Sequence, residues 1–389
     1  MKTISWISSF LLFVCFFSCK KEDITIEHTY NYTKPLVFND GLETGTLSSV
    51  GLDSVPIIKM MDYLNSNSWH TIHNILILKN NKLVFEEYFK GYKLNYTAPN
   101  LNGELIDYSR TTDHPMHSVS KSVTSVIFGI AVKNGYITDL NKKIIDYFPE
   151  YADLLTGNKA NITIHHLLTM TCGLAFDEWT YPYTDTRNEF RQAMDIDDPI
   201  QFILSKPMVS DPGTQFHYSS GSGLVLAAIL EKVTGKKFLD YANENLFDPL
   251  RSEGGGWTSS HSGLTLASSG LYFKARELTK IGLLFLNNGQ WEGKQIITPE
   301  WIELSQQGYI NTINLFYQNS TYGYQWWITS FTINGVSRKC FFAVGWGNQF
   351  MYIIPDLNMI IEFNCGNYAD LTRTLPIDMV NDYIIKAII

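Results

Sequence analysis

Residues His117–Gly135 read HSVSKSVTSVIFGIAVKNG. The second half, SVIFGIAV at 125–132, is apolar, and Gly135 supplies a stop. The stretch therefore reads as a helix sunk in a core and closed at its C-terminus. Its first turn carries Ser118 and Lys121, spaced i, i+3 and so on one face. A lysine in apolar surroundings has its charged form disfavoured, and its pKa falls toward neutral. Such a lysine can take the proton of a serine hydroxyl and turn it into a nucleophile. The helix N-terminus adds N–H groups and positive dipole where an oxyanion would form. Alone, the spacing also fits an N-cap serine followed by a surface lysine, so the surrounding sequence has to decide.

Outward from this helix, the chain has strands at both ends and helices between. On the N-terminal side, HNILILKNNKLVFEEYFKGY (73–92) reads as a hairpin about Asn80-Asn81, residues that tolerate left-handed turn geometry. On the C-terminal side, ITIHHLLTMTCGL begins at an N-cap Thr163 and is expected to run as a helix to Gly173. SGLVLAAILEKVTG, ARELTKIGLLFLNNG and TPEWIELSQQG are further helices. YGYQWWITS, RKCFFAVGWG, QFMYIIPD and NMIIEFNCG are strands, with a last helix from about Leu371. The simplest packing is an α/β (α+β) fold. One antiparallel sheet takes strands from both termini, helices flank it, and a mostly helical lobe is inserted between, leaving a cleft where the lobes meet.

The first residues lie outside that pattern. Met1-Lys2 is followed by ISWISSFLLFVCFFSC, a short apolar run ending Ser18-Cys19, then by polar KKEDITIEHTYNYTK. This reads as an export signal at 1–18, too short for a stable membrane span. The Ser-Cys ending is similar to a bacterial lipoprotein signal, which implies lipidation of Cys19. Residues 19–55 are then expected to be a polar linker, and 56–389 the folded domain. The chain would be exported and held at a bacterial membrane by its lipid alone, its domain outside the cytoplasm. Cys15 leaves with the signal; Cys172, Cys340 and Cys365 allow at most one bridge and form no CxxC metal site. The net charge is −8, with no Lys/Arg run longer than a pair such as Lys20-Lys21, which excludes a nucleic-acid footprint. Aromatics reach 14%, enough for a large aromatic core or an aromatic-lined cleft.

HSVSKSVTSVIFGIAVKNGYI, ITIHHLLTMTCGLAFDEW, PGTQFHYSSGSGLVLAAILEKVTG, LASSGLYFKARELTKIGLLFLNNGQWEGKQIITPEW and YGYQWW together resemble the serine β-lactamases and penicillin-binding peptidases, on the class C β-lactamase side. The resemblance covers roughly residues 70–388. It implies a helical lobe on an α/β lobe, no metal or cofactor, and an acyl-enzyme on Ser118 with Lys121 as base. It makes Tyr218, of Tyr218-Ser219-Ser220, a proton shuttle bonded to Ser118 and Lys121. A phenol near ammonium donors is expected to lose its proton more easily.

Two departures bear on substrate. The third position of that motif is Ser220 where class C enzymes have Asn, and no Lys-Thr-Gly exists. In its place stands Ala343-Val344-Gly345-Trp346-Gly347-Asn348-Gln349, whose spacing resembles the 6-aminohexanoate-dimer hydrolases and related esterases. By that resemblance the N–H of Trp346 joins that of Ser118 in holding the oxyanion. Glycine at 345 would let substrate approach a strand closely. Ser220, Gly345, Gln349, Trp179 and Tyr181 are candidate substrate contacts, the last two in a loop with Asp177, Glu178 and Tyr183. His165-His166 point in different directions along a helix, which favours core or capping roles over a metal. The expected partner is a small ester or amide. A β-lactamase or D-Ala-D-Ala carboxypeptidase would need a cation for the substrate carboxylate. Ala343 supplies none, which leaves Arg338 and Lys339 upstream. A non-catalytic binding lipoprotein is the remaining alternative. Oligomeric state has no signal in the sequence.

Overall fold

The computed structural model describes residues 30–67, 70–253, 256–312, 316–370 and 375–389. The export signal, Cys19 and the start of the last helix near Leu371 lie outside them. Ten α-helices are described: α1 (Ser54–Ser66), α2 (Val119–Lys133), α3 (Ile164–Leu168), α4 (Glu189–Asp195), α5 (Pro199–Ser205), α6 (Ser220–Thr234), α7 (Phe238–Ala242), α8 (Ala275–Leu286), α9 (Pro299–Ser305) and α10 (Leu375–Met379). The chain after α10 continues helically through Val380–Ala387 in wider and then tighter turns.

The N-terminal strands are β1 (Glu43–Thr44), β2 (Ile72–Lys79) and β3 (Lys82–Tyr88), and a surface hairpin pairs β4 (Lys90–Leu94) with β5 (Asn102–Asp107). A three-stranded patch joins β6 (His114–Pro115), β7 (Gly256–Trp257) and β8 (Leu271–Phe273). After the small pair β9 (Gln290–Trp291) and β10 (Lys294–Gln295) come β11 (Ile310–Asn311), β12 (Thr321–Tyr322), β13 (Trp327–Ile333), β14 (Val336–Gly345), β15 (Gln349–Ile354) and β16 (Met359–Cys365).

Strands from both ends of the chain share one nine-stranded sheet, ordered β1-β3-β2-β16-β15-β14-β13-β12-β11. The hairpin turn is where the two asparagines placed it: Asn80 and Asn81 take φ of 52° and 60°, the left-handed pair that matches strand twist in a two-residue turn. β2 and β16 are buried along nearly their whole length because both sheet faces are covered. Side chains alternate along β16. Met359, Ile361 and Phe363 meet α1 and the C-terminal helix on one face, and Ile360 meets α8 on the other. α8 lies close to the sheet because Gly282 has no side chain: a Cβ there would sit 2.8 Å from Ile360.

The sheet departs from the expectation in two respects. It is mixed, because β1 pairs with β3 in parallel. The linker expected over 19–55 is also wrong for its later part. Leu42, Leu47, Val50 and Leu52 are buried, Tyr32 Oη donates to the Val84 carbonyl, and Asp40 pairs with Arg276. These apolar residues come singly among polar ones, so no periodicity flags them. Leu47, Val50 and Leu52 join the core on the α1 face of the sheet, and Leu42 joins the core on the other. The expected helix to Gly173 is likewise short: α3 ends at Leu168, and Met170 turns left-handed at φ 58°.

Candidate active site

α2 is buried on every side from Val119 to Ala131, so its polar residues must bond to protein. Ser120 Oγ accepts from Leu271 N at 3.1 Å, Ser122 Oγ donates to the Gln325 carbonyl at 2.7 Å, and Thr124 Oγ1 donates to the Ala267 carbonyl at 2.7 Å. These hydroxyls thus bolt the helix to β8, to the segment before it and to the residues just ahead of β13. Just upstream, Met116 N donates to the Leu271 carbonyl, and His117 is held left-handed at φ 47°. A left-handed non-glycine residue persists only where its surroundings over-determine it. Here it presents Ser118, the N-cap of α2, to a cleft.

Lys121 is buried, and its Nζ lies 3.0 Å from Ser118 Oγ, 2.9 Å from Ser220 Oγ and 3.0 Å from the Ser268 carbonyl. Burial pushes its pKa down to about 8, against an opposing pull from Glu178. A neutral amine has two N–H groups and one lone pair. The Ser268 carbonyl can only accept, and the Ser220 hydroxyl accepts the second hydrogen, which leaves the lone pair for the hydroxyl of Ser118. The lysine is therefore wired as a base.

Tyr218 is buried, with the Ser118 hydroxyl near enough to pull its pKa down. Its contact with Lys121 is through the ring face, 4.8 Å from Nζ to the centroid. The expectation of an easily ionised phenol is overturned. Burial, and then the Glu178 carboxyl, push Tyr218 well above the usual phenol range. The phenol stays protonated and is suited to give a proton rather than to start as a base.

Glu178, from the loop 177–188, was grouped by the sequence with loop residues that could select substrate. It is 2% exposed, its Oε1 accepts from Ser220 N at 3.1 Å, and burial raises its carboxyl pKa while Lys121 lowers it. The other residues singled out from the sequence divide. Ser220 and Trp346 line the cleft with Ser118, and Tyr183 of the same loop lines it too. Trp179 is 51% exposed and packs on Tyr218 at 5.6 Å, while Tyr181 carries Arg187 over its ring, and neither is in the cleft wall. Gln349 is not a substrate contact: it is fully buried. Its Nε2 donates to the carbonyls of Trp346 and Cys365 and its Oε1 accepts from Cys365 N, so both ends of the amide are spent on the scaffold.

Gly345 ends β14 against the start of α2. A Cβ there would lie 2.3 Å from the Met116 carbonyl oxygen and 3.2 Å from Ser118 N, so only glycine permits this approach. Trp346-Gly347-Asn348 form the hairpin turn to β15, with φ of 86° and 69° at Gly347 and Asn348. This turn sets Trp346 beside the cleft.

The cavity holds about 230 Å³, and aromatic rings dominate its wall: Tyr96, Tyr183, Phe190, Tyr272 and Trp346. His117 also lines it. Burial, with His114 and Lys121 nearby, pushes that imidazole down to about 3, so it is neutral. Arg191 of α4 is the cation among the lining residues, and its Nε bonds to Asp195 at 2.7 Å. Sequence reasoning missed Tyr96, Phe190, Arg191 and Tyr272, although LASSGLYF had been matched as a block without assigning its residues. Arg338 and Lys339 do not replace a third-motif cation: they stand at the far end of β14 from Gly345, with Arg338 facing Asp356 at 3.5 Å. His165 bonds to Tyr324 Oη and His166 closes the capping box of α3. Cys172, Cys340 and Cys365 are buried free thiols.

A family model described as Beta-lactamase matches residues 74–364, well over half of the chain. The chain is 24% identical over 268 residues to the 6-aminohexanoate-dimer hydrolase of Paenarthrobacter ureafaciens, a match covering 64% of this chain and 64% of that enzyme, under two thirds of its length. A Bacillus anthracis structure described as a candidate 6-aminohexanoate-dimer hydrolase superimposes with a TM-score of 0.66 at 24% identity, covering 84% of this chain and 81% of that one. A family VIII carboxylesterase does so with a TM-score of 0.64 at 13% identity, covering 86% and 98%. At these identities the superpositions establish the fold.

Proposed function

The chain belongs to the beta-lactamase family, and from that premise we propose that it is a serine hydrolase that cleaves a small ester or linear amide through an acyl-enzyme on Ser118. The observation that carries the reading is the buried Lys121 with its Nζ 3.0 Å from Ser118 Oγ and its other two hydrogen-bonding directions taken by Ser220 and Ser268.

In this mechanism Ser118 Oγ attacks the substrate carbonyl as its proton passes to Lys121 Nζ. The N–H groups of Ser118 and Trp346 receive the oxyanion at the point where α2 meets the end of β14. The neutral phenol of Tyr218 protonates the leaving group; in deacylation the attacking water gives its proton to the Tyr218 phenolate, and Lys121 returns its proton to Ser118 Oγ as the acyl group leaves.

Ester or linear amide is preferred to β-lactam or D-Ala-D-Ala peptide because those substrates carry a carboxylate. Ala343 is buried and apolar on the strand, and Arg191 is already bonded to Asp195. The aromatic wall suits an apolar acyl or aryl group. Ser118→Ala is expected to abolish hydrolysis of a short p-nitrophenyl ester and labelling by a fluorophosphonate. Wild-type turnover in that variant rejects the mechanism. A wild-type protein that is never labelled is a non-catalytic binder, and nitrocefin turnover matching ester turnover would restore the β-lactamase reading.

The location is a separate proposal resting on the sequence alone. We infer that Cys19 is lipidated after export, and that the domain works outside the cytoplasm. The linker available to it then ends before Tyr30 and Tyr32, which pack on the domain, and is shorter than the sequence reading allowed.

A further inference from the structure

We propose that Glu178 is a positioning residue for the base: it holds Ser220 from behind the cleft and, through Ser220, Lys121, and its charge sets the pH at which Lys121 can act. The inference rests on the assignment of Ser118 and Lys121 as the reacting pair.

A short chain of contacts links the three residues. Glu178 Oε1 accepts from Ser220 N at 3.1 Å, and Ser220 Oγ accepts from Lys121 Nζ at 2.9 Å. The carboxyl is nearly inaccessible and does not line the cavity, so it is not a substrate contact. Its loop is tied down at both sides. Asn188 Nδ2 donates to the carbonyls of Glu178 and Tyr181, and Asp177 N donates to Glu189. Its second oxygen, Oε2, is buried with no hydrogen-bond partner. A buried carboxyl with an unpartnered oxygen is costly, and a glutamine would offer Ser220 N the same acceptor without a charge. A role in stability therefore does not explain it.

The titratable groups that face Glu178 come from four elements. They are Lys121 of α2, His217 and Tyr218 from the segment before α6, Tyr183 of its own loop and Tyr322 of β12. Of these, Lys121 is the amine, and the two groups act on each other reciprocally: Lys121 lowers the carboxyl, and the carboxyl raises Lys121. Burial alone would strip Lys121 of its proton at a lower pH. The carboxylate returns part of that affinity, so the amine can accept the serine proton and still release it. It also explains why Ser220 can stand where an asparagine is usual: the short hydroxyl, anchored through its own N–H, meets the amine directly.

The test is the pH dependence of Ser118 phosphonylation, which needs no knowledge of the substrate. Glu178→Gln keeps an acceptor for Ser220 N and removes the charge. Its acid limb is expected to move to lower pH by about one unit or more, the scale of an opposite charge at short range. Glu178→Asp, with its charge drawn back by one methylene, should show a midpoint between the two. A residue that merely braced the loop would lower the rate without moving the limb. An unmoved limb in Glu178→Gln overturns the proposal. If that variant does not fold, an aspartate variant titrating at the wild-type midpoint overturns it. Absence of Ser118 labelling in the wild type at any pH is a different failure, that of the hydrolase reading itself.

Discussion

Gly345→Ala should cripple the protein as an enzyme while leaving it folded. The added Cβ would stand 2.3 Å from the Met116 carbonyl oxygen, where real contacts hardly ever fall under 3.0 Å. Strand or loop must therefore recede by at least roughly 0.7 Å, since neither atom belongs to a flexible side chain. The Met116 carbonyl also accepts from Val119 N at 3.1 Å in the first turn of α2, and Met116 N is fixed to Leu271. Relief by moving Met116 displaces Ser118; relief by moving β14 displaces the N–H of Trp346. Either way the two oxyanion donors separate. Overpacking of this kind costs about 1–3 kcal/mol of stability. Misplacement approaching an ångström at a reacting centre, or loss of one oxyanion donor, costs about 10²-fold or more in rate. The expected result is a kcat/KM for a p-nitrophenyl ester lower by about 10², with fluorophosphonate labelling slowed in parallel and a cooperative thermal transition retained. Gly256→Ala is the control: nothing lies within 4 Å of its Cβ position and its φ is ordinary, so it should behave as wild type. A Gly345→Ala variant with wild-type turnover would refute the placement of the oxyanion site between α2 and β14.

Three further outcomes are expected. Because Lys121 acts as a base only when neutral, and its pKa lies at about 8, kcat/KM should rise with pH through that value and level off above it; a flat profile from pH 6 to 9 would contradict the assignment. Arg276→Met leaves Asp40 and Glu86 buried without the guanidinium that bonds both at 2.8 Å, so chemical denaturation should show a loss of about 3–5 kcal/mol, and an unchanged midpoint would argue against the packing of residues 36–42 on α8. Cys19→Ser should move the protein from the membrane fraction to the soluble one in active form or leave the signal uncut; a wild type that is soluble after lysis, with an unmodified N-terminus elsewhere, would sink the lipid anchor.

What the sequence determined by itself is whatever depends on near neighbours along the chain. The i, i+3 pair Ser118 and Lys121, the apolar run that buries their helix, the left-handed asparagine turn after β2, the Thr163 cap and the glycine stop at Gly235 all follow from periodicity and local sterics. Gly345 was expected to admit substrate, whereas what approaches it is the backbone at the start of α2, and it does not line the cleft. The tertiary structure decided the rest, because the contacts that fix it join distant residues: Lys121 meets Ser220 99 positions on and Ser268 147 positions on, and Glu178 reaches Ser220 42 positions on. No spacing rule spans such separations. The same reason reversed three readings. Gln349 proved to be scaffold once its amide partners were in place, Leu42, Leu47, Val50 and Leu52 proved to be core once the sheet edge they cover existed, and Tyr218 proved hard to ionise. Proximity to a lysine favours a phenolate in sequence reasoning, but burial and a carboxyl delivered by a loop outweigh it, and both exist only when the chain is folded.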